Sequence, residues 1–199
     1  AIGFEALRLN TTGASSVAVG YRAGYSNTAG PDMTAVGLEA LFSNTSAANN
    51  TAVGKRALYT NTTGSENSAI GKFSLYSNTT GANNNALGYG SLYENTTGDR
   101  NTAMGRDALG SNTTANESVA VGYNAMQYST GGSNTAVGEA AARGTSGSAS
   151  GTNNVALGRN ALYSYTTGSN NVAIGKDAGI SLTTGQENVA IGQGALDAD

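Results

Sequence analysis

A triplet of alanine, an aliphatic residue and glycine returns along the whole chain at a nearly constant interval. Its glycine, taken as position zero, falls at Gly3, Gly20, Gly37, Gly54, Gly71, Gly88, Gly105, Gly122, Gly138, Gly158, Gly175 and Gly192. Most intervals are 17 residues; Gly122 to Gly138 is 16 and Gly138 to Gly158 is 20. A fixed short period describes stacked units, each burying its apolar face only against its neighbours. Helical repeat units need over about 30 residues for two helices and two turns, so this period points to strands.

Each unit carries a run such as Asn-Thr-Ala-Val-Gly or Asn-Val-Ala-Ile-Gly, in which side chains of a strand alternate between two faces. One face is aliphatic at minus one; the other holds only alanine and glycine. A second apolar element follows at plus three to plus five, as in Ala57-Leu58-Tyr59 and Ser91-Leu92-Tyr93, and Asn-Thr-Thr-Gly segments lie between, as turns. Two short strands and two corners per unit predict an all-β, parallel β-solenoid or β-roll. It is a single repeat domain over 1–199, with twelve coils of 17 residues and a loop inserted at 145–152. At about 4.8 Å per coil the rod is about 50 to 60 Å long.

None of the 23 charged residues falls between minus four and zero. A flat segment that admits no charge in twelve copies is packed against something, whereas the charged corners face water. One aliphatic residue and one leucine per coil is a thin filling for an isolated cylinder. The small alanine row, represented by Ala52, Ala69, Ala103, Ala173 and Ala190, therefore reads as an assembly face against which another backbone approaches. The expected state is a homo-oligomer, several chains packed around an axis.

The core of the repeat, as in Asn171-Val172-Ala173-Ile174-Gly175-Lys176-Asp177-Ala178, resembles the head repeats of YadA-like trimeric autotransporter adhesins. It is also similar to repeats in the shafts of phage tail fibres. The resemblance covers nearly the whole chain and implies a left-handed roll, trimeric association and an extracellular place on a bacterial surface or a virion tail fibre. It also implies attachment to a host cell or matrix through a surface receptor or glycan. The unit differs in length, being longer than the usual adhesin head unit by its Asn-Thr-Thr-Gly corner.

Other features bound the function. With no His or Cys, and with acids scattered over corners, the chain offers no conventional general base, thiol nucleophile or Cys/His metal site. We read it as non-enzymatic and without a cofactor. A net charge of -3 recruits no nucleic acid, and there is no apolar run long enough to insert in a membrane. Eight Asn-x-Ser/Thr sequons, at Asn10, Asn44, Asn49, Asn61, Asn78, Asn95, Asn112 and Asn116, read as corner chemistry rather than glycosylation. Six of these lie at plus seven, where stacked amides can bond to the coils on either side.

Phe42, Tyr59, Tyr76 and Tyr93 occupy plus five in successive coils, a ladder suited to packing, chain–chain contact or ligand contact. Threonine recurs at plus eight, the basis for an alternative reading as an ice-binding solenoid. Neither end carries a polar capping unit, so the expectation is a segment of a longer fibre, with end-to-end stacking into a self-polymerising filament as the alternative.

Overall fold

In a computed structural model of the protein, residues 1–197 are described; the last two residues of the expected domain lie outside them. The chain is a parallel β-solenoid. One three-residue strand per coil contributes to a single eleven-stranded sheet in strict sequence order. The strands are β1 (Val17–Val19), β2 (Thr34–Val36), β3 (Thr51–Val53), β4 (Ser68–Ile70), β5 (Asn85–Leu87) and β6 (Thr102–Met104). They continue as β7 (Val119–Val121), β8 (Thr135–Val137), β9 (Val155–Leu157), β10 (Val172–Ile174) and β11 (Val189–Ile191). Register is exact alanine on alanine, from Ala18↔Ala35 to Ala173↔Ala190. The first copy of the repeat contributes only an isolated bridge, Ile2↔Val19, so ten full coils link eleven strands instead of the twelve equivalent coils expected.

The second expected strand is not formed. Residues at plus two and plus four sit in the left-handed region, for example Arg56 (φ 56°) and Leu58 (φ 50°), and this breaks the extended pleat. Coil-to-coil hydrogen bonding continues through the segment regardless: Leu58 N donates to Ser74 O at 3.0 Å and Thr60 N to Tyr76 O at 3.2 Å. Left-handed backbone is costly for leucine. The offset is burial, since Leu41, Leu58, Leu75, Leu92 and Leu109 are all fully enclosed, each contributing about 1.5–3 kcal/mol.

The sheet is turned the other way from expectation. In every strand the central alanine is buried and the flanking residues point outward. Ala52, Ala69, Ala103, Ala173 and Ala190 therefore line the inside of the coil and are not an assembly face. The physical reason is packing: plus four faces the alanine row, since a Cβ at Gly179 would lie 3.7 Å from Ala173 Cβ, and a fully buried leucine there leaves little room for more than a methyl group opposite. Volumes compensate from coil to coil. Where Gly24 replaces leucine, a Cβ there would lie 2.5 Å from the Met33 methyl, which has moved into the space. Where Gly179 does so, Leu182 stands in the position that asparagine holds elsewhere, and its Cβ packs 3.8 Å from where a Gly179 Cβ would be.

Much of the rest of the interior is polar. At plus seven the amides form a column: Asn27 Nδ2 donates to Asn10 Oδ1 at 2.7 Å, and the pattern repeats through Asn44, Asn61, Asn78 and Asn95 to Asn112. Each Nδ2 also donates to the carbonyl three residues on, as Asn61 does to Gly64 O at 2.9 Å. A second column runs at minus four. Asn50 Oδ1 accepts from Asn67 N at 2.9 Å, Asn67 Oδ1 from Asn84 N and Asn84 Oδ1 from Asn101 N, each at 3.0 Å. It resumes at Asn134, Asn154, Asn171 and Asn188. Among the described residues, Asn124 Oδ1 is the one buried side-chain N or O atom without a partner. A core with two columns of buried amides is stable only when its groups are satisfied in this way.

Candidate functional site

With the interior filled, function has to reside on the outer surface, and four features stand out there. The first is the outer face of the sheet. Minus one presents Val19, Val36, Val53, Ile70, Leu87, Met104, Val121, Val137, Leu157, Ile174 and Ile191 to the outside, and minus three adds Val17, Val119, Val155, Val172 and Val189 among threonines. Ile70 is 43% exposed, Leu87 44% and Met104 42%, and the three line a shallow apolar hollow. This aliphatic stripe runs the length of the rod, about 50 Å, without a charge. The neighbouring rank at plus one mixes exposed Phe4, Tyr21, Leu38, Tyr89 and Tyr123 with Lys55, Lys72, Arg106 and Arg159.

The second feature is the aromatic ladder. Tyr25, Phe42, Tyr59, Tyr76 and Tyr93 stack face to face with centroids 5.2–5.3 Å apart and interplanar angles of 4–16°. Phe73 closes on Tyr76 and Tyr93 edge-on. The ladder starts with the Arg8 guanidinium over Tyr25, and Arg56 lies over Tyr59. Because the rings cover one another, inner members offer only their edges to a ligand. Tyr163, at the same position further along, does not join the stack; its hydroxyl accepts from Arg143, which also reaches Tyr128 OH and Gln127 Oε1.

The third is the irregular stretch. Thr145–Ser148 is a continuous exposed run; Ala149 is already buried and bridged to Ser129, Ser150 is exposed again, and Gly151 N bonds to Thr166 O at 3.0 Å. The excursion is thus narrower than the 145–152 loop read from the spacing. It follows the end of the plus-seven asparagine column, which stops at Asn112; Ser129 holds the next place, and Tyr165 fills the interior and donates its hydroxyl to Ser129 Oγ.

Burial pushes the Tyr165 phenol up to about 12 from its ordinary value of 10.0. The buried neutral form is favoured, so this group's contribution is complete below pH 10 and is lost as pH rises through about 12. Stability should therefore fall in that window by on the order of 1.4 kcal/mol per pH unit. Alkaline denaturation of the wild type against Tyr165→Phe measures it: the phenylalanine variant should lack this part of the slope, and equal slopes would count against the buried phenol.

The fourth is the threonine rank at plus eight. Its hydroxyls donate along the rod to the main chain of the next coil, as Thr62 Oγ1 does to Thr79 O at 3.0 Å and Thr79 Oγ1 to Thr96 O at 3.0 Å. The sequon amides of Asn44, Asn61, Asn78, Asn95 and Asn112 are buried in their column. Charged pairs connect successive coils at the corners, with Arg22 Nε to Glu5 Oε2 and Arg56 Nε to Glu39 Oε2 both at 2.6 Å. The Arg22 hydrogen bond holds the Glu5 carboxyl below its ordinary value. Exposed pairs of this kind add little stability individually.

No cluster of three or more His, Cys, Asp or Glu side chains able to hold a metal occurs among the described residues. Sequence reasoning found the plus-seven amide column and the aromatic ladder. It missed the minus-four amide column, whose signal was the recurrent asparagine or serine there, and it missed the outward aliphatic stripe. Compared with protein-family models, with curated proteins and with solved structures, the chain matches none.

Proposed function

We propose that the chain is a segment of a homo-oligomeric fibre, a structural and adhesive rod that holds a binding element at a host cell or matrix surface. The observation that carries this reading is the aliphatic, charge-free outer face of the sheet. Exposed apolar stripes of this length are rare on monomers and mark interaction surfaces. A strictly repeated stripe best fits an equally repetitive partner, and a second copy of the same rod has the matching spacing. A closed ring of more than two copies needs two different surfaces on each subunit, and three copies are favoured because the resemblance implies them. The stripe and the mixed aromatic rank at plus one supply such a pair. The resemblance to adhesin heads and phage fibre shafts points the same way, and supports a position outside the cell, on a bacterial surface or a virion. In this reading the protein is not an enzyme.

The test alters only the stripe. Leu87→Glu combined with Met104→Glu should give a folded single chain while the wild type remains associated, because both side chains point away from the interior. Light scattering and far-ultraviolet circular dichroism together check this. Retention of the wild-type mass by the double variant would remove the stripe as the interface. Thermal hysteresis by the wild-type rod would instead favour the ice-binding alternative.

A further inference from the structure

The aromatic ladder stops at a gap that has no backbone cause. Past Tyr93 the next coil has Gly110 at plus five. This glycine is not in the left-handed region, and its N–H bonds to Asp107 O at 3.2 Å. Gln127 makes the same bond to Asn124 O at 3.2 Å, and Tyr163 to Asn160 O at 3.2 Å, so this backbone accommodates large side chains. A Cβ at Gly110 would meet as its nearest atoms only main-chain atoms of Asp107 and Gln127, at 3.2–3.8 Å. The missing side chain therefore leaves an empty rung. Tyr93 is accordingly 38% exposed, while the four rings stacked before it are only partly so.

The walls of the gap are chemically distinct. On one side stands the face of Tyr93, held by Tyr76 at 5.2 Å and by the edge of Phe73 at 6.3 Å. On the other, two coils along and thus about 10 Å away, stands the rank of Gln127 and Tyr128. Gln127 Oε1 accepts from Arg143 Nε at 3.0 Å, and Arg143 Nη2 donates to Tyr128 OH at 3.3 Å. Gln127 Nε2 is left as the donor that a ligand would meet, and Glu94, exposed beside Tyr93, offers an acceptor. About 10 Å between two ranks admits one six-membered ring in contact with both.

From this geometry we infer that the gap at Gly110 is a binding site for a single pyranose ring of a surface glycan. The sugars that fit are those presenting a face of axial C–H bonds, such as β-glucosides and β-galactosides. That apolar face packs on Tyr93, and the hydroxyls at the rim meet Gln127 and Glu94. The inference rests on the attachment reading and gives it a ligand class. Its site lies off the sheet face, so the two can fail separately.

Saturation-transfer NMR with methyl β-D-glucopyranoside and methyl β-D-galactopyranoside tests it on the full chain. The wild type should transfer saturation to at least one of them, most strongly to the axial ring protons. Tyr93→Ala removes the platform and should weaken binding by about tenfold. Gly110→Tyr fills the empty rung by extending the ladder; it should abolish transfer while melting no lower than the wild type, so loss of signal cannot be ascribed to unfolding. Absence of transfer to both sugars in the wild type, or undiminished transfer in a folded Gly110→Tyr, overturns the site. Neither result bears on the mass of the Leu87→Glu, Met104→Glu rod, which tests the fibre reading alone.

Discussion

Gly88→Ala should cost roughly 3–5 kcal/mol, through backbone strain and overpacking together. Position zero has φ of +136° at Gly88, a region that side-chain-bearing residues rarely adopt, and an added Cβ would lie 2.6 Å from Gly105 O and 2.7 Å from its carbonyl carbon. The obstruction is main chain that is itself tied into the stack, since Gly105 N bonds to Leu87 O at 2.8 Å. Gly81→Ala is the matched control. Its Cβ would be comparably close, 2.5 Å from Gly98 O, but its φ is unremarkable and alanine already stands at the equivalent Ala47 and Ala115. Thermal or denaturant melts should show Gly81→Ala far milder than Gly88→Ala. Equal effects would mean that conformation at position zero is not what demands glycine.

Asn78→Asp should be destabilising at neutral pH by several kcal/mol, although it changes a single group. Asn78 Nδ2 donates to Asn61 Oδ1 at 2.8 Å and to Gly81 O at 2.9 Å, while Asn78 Oδ1 accepts from Asn95 Nδ2 at 2.8 Å. A carboxylate keeps the acceptor and replaces the donor by a charge facing two oxygens in a site closed to water. Burial and those oxygens raise the folded-state pKa of the new acid above its unfolded value near 3.9. The folded state then holds the proton more tightly, so stability relative to the wild type is recovered below about pH 4 and is lost as pH rises through the folded pKa. Melting the two proteins from pH 3 to pH 8 follows this directly. A difference independent of pH would show that the column at Asn78 is not closed to water.

Much of the architecture was legible because one period dominates the chain. Spacing of the Ala-aliphatic-Gly triplet excludes helical repeats and sets the coil length, and the asparagine at plus seven announces a stacked amide column. What spacing could not supply was orientation. Alternation in Val-Ala-Val assigns valine and alanine to opposite faces but does not say which is inside, and the usual preference for burying the larger residue gives the wrong answer here.

The deciding quantity is the interior width left by Leu41, Leu58, Leu75 and their equivalents, which depends on left-handed backbone at plus four. Nothing in a leucine announces a positive φ, and the same omission turned a turn ladder into an expected second strand. The Asn-Thr-Thr-Gly glycine was also legible only in part. Its backbone lies outside the positive-φ region that glycine in a turn suggests, and alanine takes the same place at Ala47 and Ala115. The empty rung became visible only once the bonds of Gly110 could be compared with those of Gln127 and Tyr163.

Orientation of the sheet also carries the functional argument. Twelve copies keep charge off a segment whose larger side chains face outward, and in a single rod nothing covers them. The mass of the wild-type chain in solution, measured by sedimentation equilibrium over a range of micromolar concentrations, tests this most directly. A fibre segment built on the aliphatic stripe should sediment as a homo-oligomer, at three times the chain mass of 19.8 kDa in the favoured arrangement. A single species of 19.8 kDa at every concentration would contradict the account.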